Sequence, residues 1–360
     1  MKSGVPQGTV LGPILFILYI NNITEVLKHC TIKIFADDSK IIKAIETEED
    51  RTKLLEDLNA VIKWADDNKM QLNESKFMLI QHGKNEAIKQ PYRISDQILL
   101  EQAESAKDLG ILVDSELKWS TQIPTVVTSA SQLAGWALRV FHNRSKEVML
   151  TLYKMLIRPK LEYGCIVFHP NQIGDINELE SVQRTFTHKI ENMSQFNYWE
   201  RLEQLGLYSM QRRRERYLCI HMFKIYKKII PNDLGLMFYE TPRYGAKCRR
   251  RKLTAKSASV NSLRCNSFSD VGAKLFNSLP KQLKQATTKD SFKRQLDKLL
   301  AKLPDRPPIQ GYARQNDNSI WDWLRYESSS SRIPGLGSAD EDDEPQEPMV
   351  VQPGLPQPTP

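Results

Sequence analysis

Thr31-Ile32-Lys33-Ile34-Phe35-Ala36-Asp37-Asp38-Ser39-Lys40-Ile41-Ile42 decides how the first third of this chain folds. Ile32, Ile34 and Ala36 alternate with Lys33, Phe35 and Asp37, the period-two pattern of a strand with one covered face. A second short strand runs to Ile42 after a turn around Asp37-Asp38, which makes a β-hairpin with acids at its tip. Adjacent carboxylates repel each other, and water or a divalent cation relieves the repulsion. Mg²⁺ suits such a pair, because it takes oxygen from one or two carboxylates and completes its shell with water and phosphates. By composition alone Asp37-Asp38-Ser39 also fits a solvated turn.

Upstream, Gly4 and Gly8 in Ser3-Gly4-Val5-Pro6-Gln7-Gly8 let backbone approach a ligand where a β-carbon would collide, and Pro6 restricts the loop between them. Leu11 to Asn21 reads as a buried helix with Pro13 in its first turn. Downstream, Thr47 and Asp50 form a capping-box pair for a helix from Glu48 to Asn68, whose Leu54, Leu58, Val61, Ile62 and Ala65 recur at helical spacing. Phe77-Met78-Leu79-Ile80 and Leu109-Gly110-Ile111-Leu112-Val113 are apolar runs suited to strands. The fold class is therefore α+β up to about Lys118. From Thr121 to Leu300 the pattern is mainly helical, with breaks expected at Pro159, Pro170, Pro231 and Pro280. Lys247 to Lys252 reads as a loop, and the Ser-, Pro- and acid-rich stretch from about Ser328 reads as a disordered tail.

The 360 residues carry a formal charge of +8, and setting aside the acids Asp340, Glu341, Asp342, Asp343, Glu344 and Glu347 raises this to +14. Such an excess favours a polyanion, nucleic acid before an acidic membrane surface. Five widely spaced cysteines argue against a disulfide framework and for a reducing compartment. No Cys-x-x-Cys pair suggests zinc. The apolar run Ile14 to Ile20 lacks the flanks of a signal peptide and is too short to span a bilayer, so an intracellular protein, nuclear or cytoplasmic, is expected.

Ser3 to Phe16, followed at this distance by Phe35-Ala36-Asp37-Asp38, resembles the loop, helix and aspartate hairpin of non-long-terminal-repeat retrotransposon reverse transcriptases of the jockey and chicken-repeat kind. The resemblance continues through Trp64, Asn68, Leu72, Asn73 and Lys76. Lys107 to Asp114 resembles the strand pair that supports the primer terminus. Leu156 to Gly164, and Ala273 to Pro280 with Phe292-Lys293, resemble the helical region and the end of such reading frames.

The resemblance implies a partial palm over 1–118, a helical thumb-like region over 119–200, a basic helical region over 201–305, and a linker with disordered tail over 306–360. It implies catalytic and metal-binding roles for Asp37 and Asp38, with Lys76 facing the leaving pyrophosphate. Gln7, Gly8 and Phe35 would lie beside template and nucleotide. The implied partners are RNA template, DNA primer and deoxynucleotides, and the implied cofactor is Mg²⁺ or Mn²⁺. The family's fingers and first palm aspartate have no counterpart before Ser3, so metal binding is expected to be weakened and this chain inactive by itself. An exposed hairpin edge and incomplete folding are expected to follow. Arg212, Arg213, Arg214, Arg249, Arg250 and Arg251 are candidate phosphate contacts, which leaves a non-catalytic nucleic-acid-binding remnant as the alternative reading.

Overall fold

Pro13 sits in the first turn of α1 (Gly12–Ile20), where its missing N–H costs no hydrogen bond, and the Gly12 amide donates to Thr9 Oγ1 at 3.1 Å. In this computed structural model the described residues are 8–83, 91–94, 98–100, 102–170, 172–232, 236–241, 250–254, 267–307 and 318–329. They fall into two compact units divided between Thr121 and Gln122.

In the first unit β1 (Thr31–Phe35) and β2 (Asp38–Ile42) pair antiparallel, with Ile32 opposite Ile41 and Phe35 opposite Asp38. Ile32 and Ile34 pack on a core of Ile20, Ile23, Trp64 and Ala65. Ile41 joins a second core with Leu54, Tyr92, Ile94 and Leu100. Both cores line α2 (Glu48–Asp67), whose capping box is as expected: Thr47 Oγ1 accepts from the Asp50 amide, and Asp50 Oδ2 accepts from the Thr47 amide.

Asp57 of α2 is buried and accepts from three consecutive amides, Lys28, His29 and Cys30, at 2.7–3.0 Å. Burial alone would raise this carboxyl, but the three donors outweigh it and hold the group below the usual range. Asp57→Ala strands those amides in a partly wet loop and is expected to cost about 2 kcal/mol, read from the urea midpoint. An unchanged midpoint would mean that the loop is not held from α2.

Three smaller pairings complete the unit. β3 (Tyr92–Ile94) pairs with β4 (Ile98–Leu100), and β5 (Ser105–Asp108) with β6 (Ile111–Asp114). The expected strand at 109–113 is shifted: Leu109 and Gly110 are the turn, with φ of 45° and 84°. Both loop residues of a tight hairpin of this kind need positive φ, which Gly110 supplies without strain. Among the described residues Phe77 to Ile80 pairs only through a parallel bridge from Leu79 to Gln102, in place of the expected strand.

The second unit is helical: α3 (Gln122–Val140), α4 (Lys146–Leu152), α5 (Arg158–Glu162), α6 (Ile173–His188), α7 (Tyr198–Leu205) and α8 (Met210–Tyr226). Pro159 does not end the helix as expected. Lacking an N–H, it leaves the Met155 carbonyl without its usual donor. The chain instead makes one wide turn over Tyr153–Ile157, in which the Arg158 amide donates to the Tyr153 carbonyl five residues back. That turn keeps Tyr153, Ile157 and Leu161 fully buried on one side.

The hairpin of β7 (Met237–Thr241) and β8 (Arg250–Thr254) follows, then α9 (Phe268–Ser278), α10 (Lys281–Lys284), α11 (Lys289–Leu300) and α12 (Ile320–Ser329). β8 corrects the 250–252 part of the loop expected at 247–252, because Arg250, Arg251 and Lys252 pair with Thr241, Glu240 and Tyr239, while 247–249 lie outside the described residues. α12 corrects the linker expected after 306. Ile320 and Trp323 are buried in a core shared with Phe223, Phe276, Phe292 and Leu296, an apolar anchor that the polar surroundings conceal. At the α8–α9 crossing Gly272 abuts Met222, and a β-carbon there would collide with the methionine. Most of the expected acid-rich tail lies outside the described residues.

Candidate functional site

The Phe35–Asp38 pairing leaves a two-residue loop, Ala36-Asp37, one residue earlier than the sequence suggests. Ala36 takes φ of 52°, the sign that a tight hairpin demands at a first loop residue and that no glycine or asparagine advertises here. Side chains alternate along a strand, so Asp38 shares a face with Phe35, Lys33 and Lys40, while Ile32, Ile34 and Ile41 turn to the cores. Asp37 and Asp38 are both exposed, beside a Phe35 ring that is 66% exposed. The apolar side of the hairpin thus fixes two carboxylates and an aromatic ring on the solvent side.

Lys40 forms an ion pair with Asp108, tying the acid-bearing hairpin to β5. Sequence reasoning missed Lys40. Its place two residues after Asp38 is a usable signal, but nothing in the spacing points to Asp108.

Gly8 has φ of 82°, and no heavy atom of the described residues lies within 4 Å of where its β-carbon would be. Backbone conformation, and not a tight neighbour, is what requires glycine there. Gln7 lies outside the described residues. Lys76 is exposed at the end of the 3₁₀ turn Glu74–Lys76, its amide donating to the Asn73 carbonyl at 3.0 Å. Close by, a surface groove of about 490 Å³ opens between the end of α2 and Phe77, lined by Ile62, Asp66, Lys69, Met70 and Leu72. Among the described residues no three His, Cys, Asp or Glu side chains converge as a metal-holding group, so Asp37 and Asp38 stand as a pair.

The arginine cluster at the start of α8 faces inward. Arg212 is 0% exposed: it donates to the Leu303 and Pro304 carbonyls at 3.3 and 2.7 Å and to Asn318 Oδ1 at 3.4 Å. Arg213 grips the Glu162 carboxylate, its Nη2 donating to Oε2 at 3.1 Å. Arg214 is 1% exposed beneath the α5–α6 connection. Arg216 makes a two-pronged pair with Asp297 of α11, at 2.5 and 2.8 Å. Phosphate contact by Arg212 and Arg214 is thereby corrected, because a fully enclosed guanidinium cannot reach a phosphate without opening the fold.

Glu180 lies behind this cluster and accepts from the Met210 amide and the Tyr198 hydroxyl. Burial raises its carboxyl above the ordinary range. Arg249 lies outside the described residues, and Arg250 and Arg251 are placed in β8 by backbone register alone.

A tip-acid hairpin, the turn-and-helix before it and the second hairpin joined to it by Lys40 lie together in the first unit. Residues 1–113 match the reverse transcriptase (RNA-dependent DNA polymerase) family. A probable RNA-directed DNA polymerase from the Drosophila melanogaster transposon X-element is 26% identical over 191 residues, covering 51% of this chain and 21% of that protein. The RNA-directed DNA polymerase from the Drosophila melanogaster mobile element jockey is 24% identical over 195 residues, again 51% of this chain and 21% of its own length. An uncharacterized Caenorhabditis elegans protein is 29% identical over 129 residues, 35% of this chain and 63% of that one. The chain thus carries a reverse transcriptase domain segment of a non-long-terminal-repeat retrotransposon, and it spans about a fifth of the mobile-element polymerases it matches. That family copies an RNA template into DNA from nucleotides and generally uses divalent metal. No helix among the described residues is long and apolar enough to cross a membrane.

Proposed function

We propose that this chain presents the carboxylate hairpin of a reverse transcriptase palm to a divalent cation and nucleic acid, without completing nucleotidyl transfer by itself. The observation that carries this reading is the hairpin register, which sets Asp37 in the loop and Asp38 on the solvent face opposite Phe35. Two carboxylates fit one Mg²⁺ or Mn²⁺ completed by water and phosphate oxygens. They do not fit the paired ions, about 3.5–4 Å apart, of a nucleotidyl-transfer centre, whose repulsion calls for a further bridging acid. When bound, such an ion supplies charge neutralisation for a triphosphate.

Asp37 at the loop tip is the principal ligand and Asp38 the secondary one. Gly8 and Phe35, with Gln7, flank the template and incoming deoxynucleotide, and Lys76 faces the pyrophosphate. The palm part runs to Lys118, followed by a thumb-like region to residue 200 and a basic helical region to 305. RNA template and DNA primer are the macromolecular partners. Free Cys30, Cys165 and Cys219 suit an intracellular, reducing setting.

Mn²⁺ titration and primer extension test this together. The expected results are measurable Mn²⁺ binding, a roughly tenfold loss of affinity in Asp37→Asn, a smaller loss in Asp38→Asn, and no templated extension. Templated extension abolished by either substitution would sink the proposed inactivity. Absence of Mn²⁺ binding alongside salt-sensitive RNA binding would select the second reading, a purely nucleic-acid-binding remnant, which is favoured by the exposed lysines of the second unit.

A further inference from the structure

The inward-facing arginines leave open where the second unit's positive charge meets a partner. Between residues 139 and 170 the sequence holds six basic residues, Arg139, Arg144, Lys146, Lys154, Arg158 and Lys160, against two acids, Glu147 and Glu162. Glu162 is already taken by Arg213. Lys146, Lys154, Arg158 and Lys160 of these lie on the helix that contains the wide turn, where Arg158 also pairs with Glu162 at 3.8 Å. Because Tyr153 and Ile157 are drawn inward there, Lys154, Met155, Pro159, Lys160 and Tyr163 are set on the outer side, all exposed. Met155 is 70% and Tyr163 60% exposed. Met155, Pro159 and Tyr163 recur four residues apart, which is one line along a helix, and the two lysines flank it.

We propose that this outer face, Lys154 to Tyr163, is a binding strip for single-stranded nucleic acid, an inference that rests on the polyanion reading above and assigns it a place. Flat and polarisable side chains accept the faces of unpaired bases, which a duplex hides, and cations four to six residues apart follow the phosphates. The charge balance decides between occupants: an apolar protein partner would gain nothing from the flanking lysines, whereas a polyanion is attracted by both. Interruption of the regular helix by a proline-induced wide turn fits a surface kept for contact, since such turns recur at functional sites.

The test measures fluorescence anisotropy of a labelled single-stranded RNA and of a duplex of equal length, across a salt series, with the full chain. Binding is expected to favour the single strand. The double variant Lys154→Glu/Lys160→Glu should weaken it at least about tenfold and flatten the logarithmic salt slope by roughly 1.4. Tyr163→Ala should weaken it roughly tenfold and Tyr163→Phe should restore it, because stacking needs the ring and not the hydroxyl. Mn²⁺ binding should be unchanged in the lysine variant, which separates this strip from the carboxylate site. Equal binding by the lysine variant, a preference for duplex, or an effect of Tyr163→Ala on self-association alone would each overturn the strip. If Tyr163→Ala fails to fold, the exposed-lysine variant decides the matter.

Discussion

Arg212→Ala is expected to lower the stability of the helical unit by about 3–5 kcal/mol, the range for removing one member of a buried, charged network. The guanidinium answers the Leu303 and Pro304 carbonyls just past α11 and the side chain of Asn318 ahead of α12. Those acceptors sit at a helix end and its connection, where carbonyls lack partners within the helix. Beside them Asp305 accepts from the Ser209 amide and hydroxyl at 2.6 and 2.8 Å, leaving it 3.9 Å from the Arg212 Nε. Alanine would leave the acceptors unpaired in a dry site. Lysine would not rescue it, since a single ammonium cannot span a planar fork's three partners. Urea melts followed by circular dichroism check this. A loss under about 1 kcal/mol accompanied by weaker RNA binding would mean that Arg212 acts outward after all.

A second large effect is pH-dependent. Burial, helped by the nearby Arg214, pulls His169 from the usual 6.5 down to about 4. Its Nδ1 is buried with no hydrogen-bond partner among the described residues, which favours the neutral ring. As pH falls, the unfolded chain takes up this proton near 6.5 while the folded chain resists until about 4. Stability therefore declines through that window, by about 2–3 kcal/mol in all, and the contribution is complete above it. Glu180 works in the opposite sense: its raised carboxyl takes a proton earlier in the folded state, so it gains stability on acidification. The informative measurement is the difference in unfolding free energy between the parent and His169→Gln from pH 7 to 4.5. A difference that stays flat would show that the ring is solvated.

The hairpin was legible because alternation of isoleucine with polar residues leaves a strand few alternatives, and the α2 capping box because its two partners are three residues apart. The loop was misplaced by one residue because Ala36 carries a positive φ without a residue that announces it. Arg212 to Arg216 misled for a different reason. Composition shows charge but not partners, and here the partners, Glu162, Asp297 and the 303–305 turn, lie 51 to 93 residues away. Asp57 is the same case in miniature, a single acid whose three amides sit 27 to 29 residues upstream. The β7–β8 hairpin was hidden because its arginine-rich strand lacks the apolar alternation that marks β1.

α12 sets a limit on how short this protein can be made. The Glu215 carboxylate accepts from the Ile320 amide at 2.6 Å, and Asn318 takes one of the Arg212 prongs and the Trp323 indole N–H at 3.0 Å. A fragment trimmed at residue 306, where the composition invites a cut, would open the floor beneath α8 and wet the aromatic interior around Phe223 and Phe292. Residues 318–329 are a closing wedge, and an excised helical unit has to keep them to remain one cooperative body.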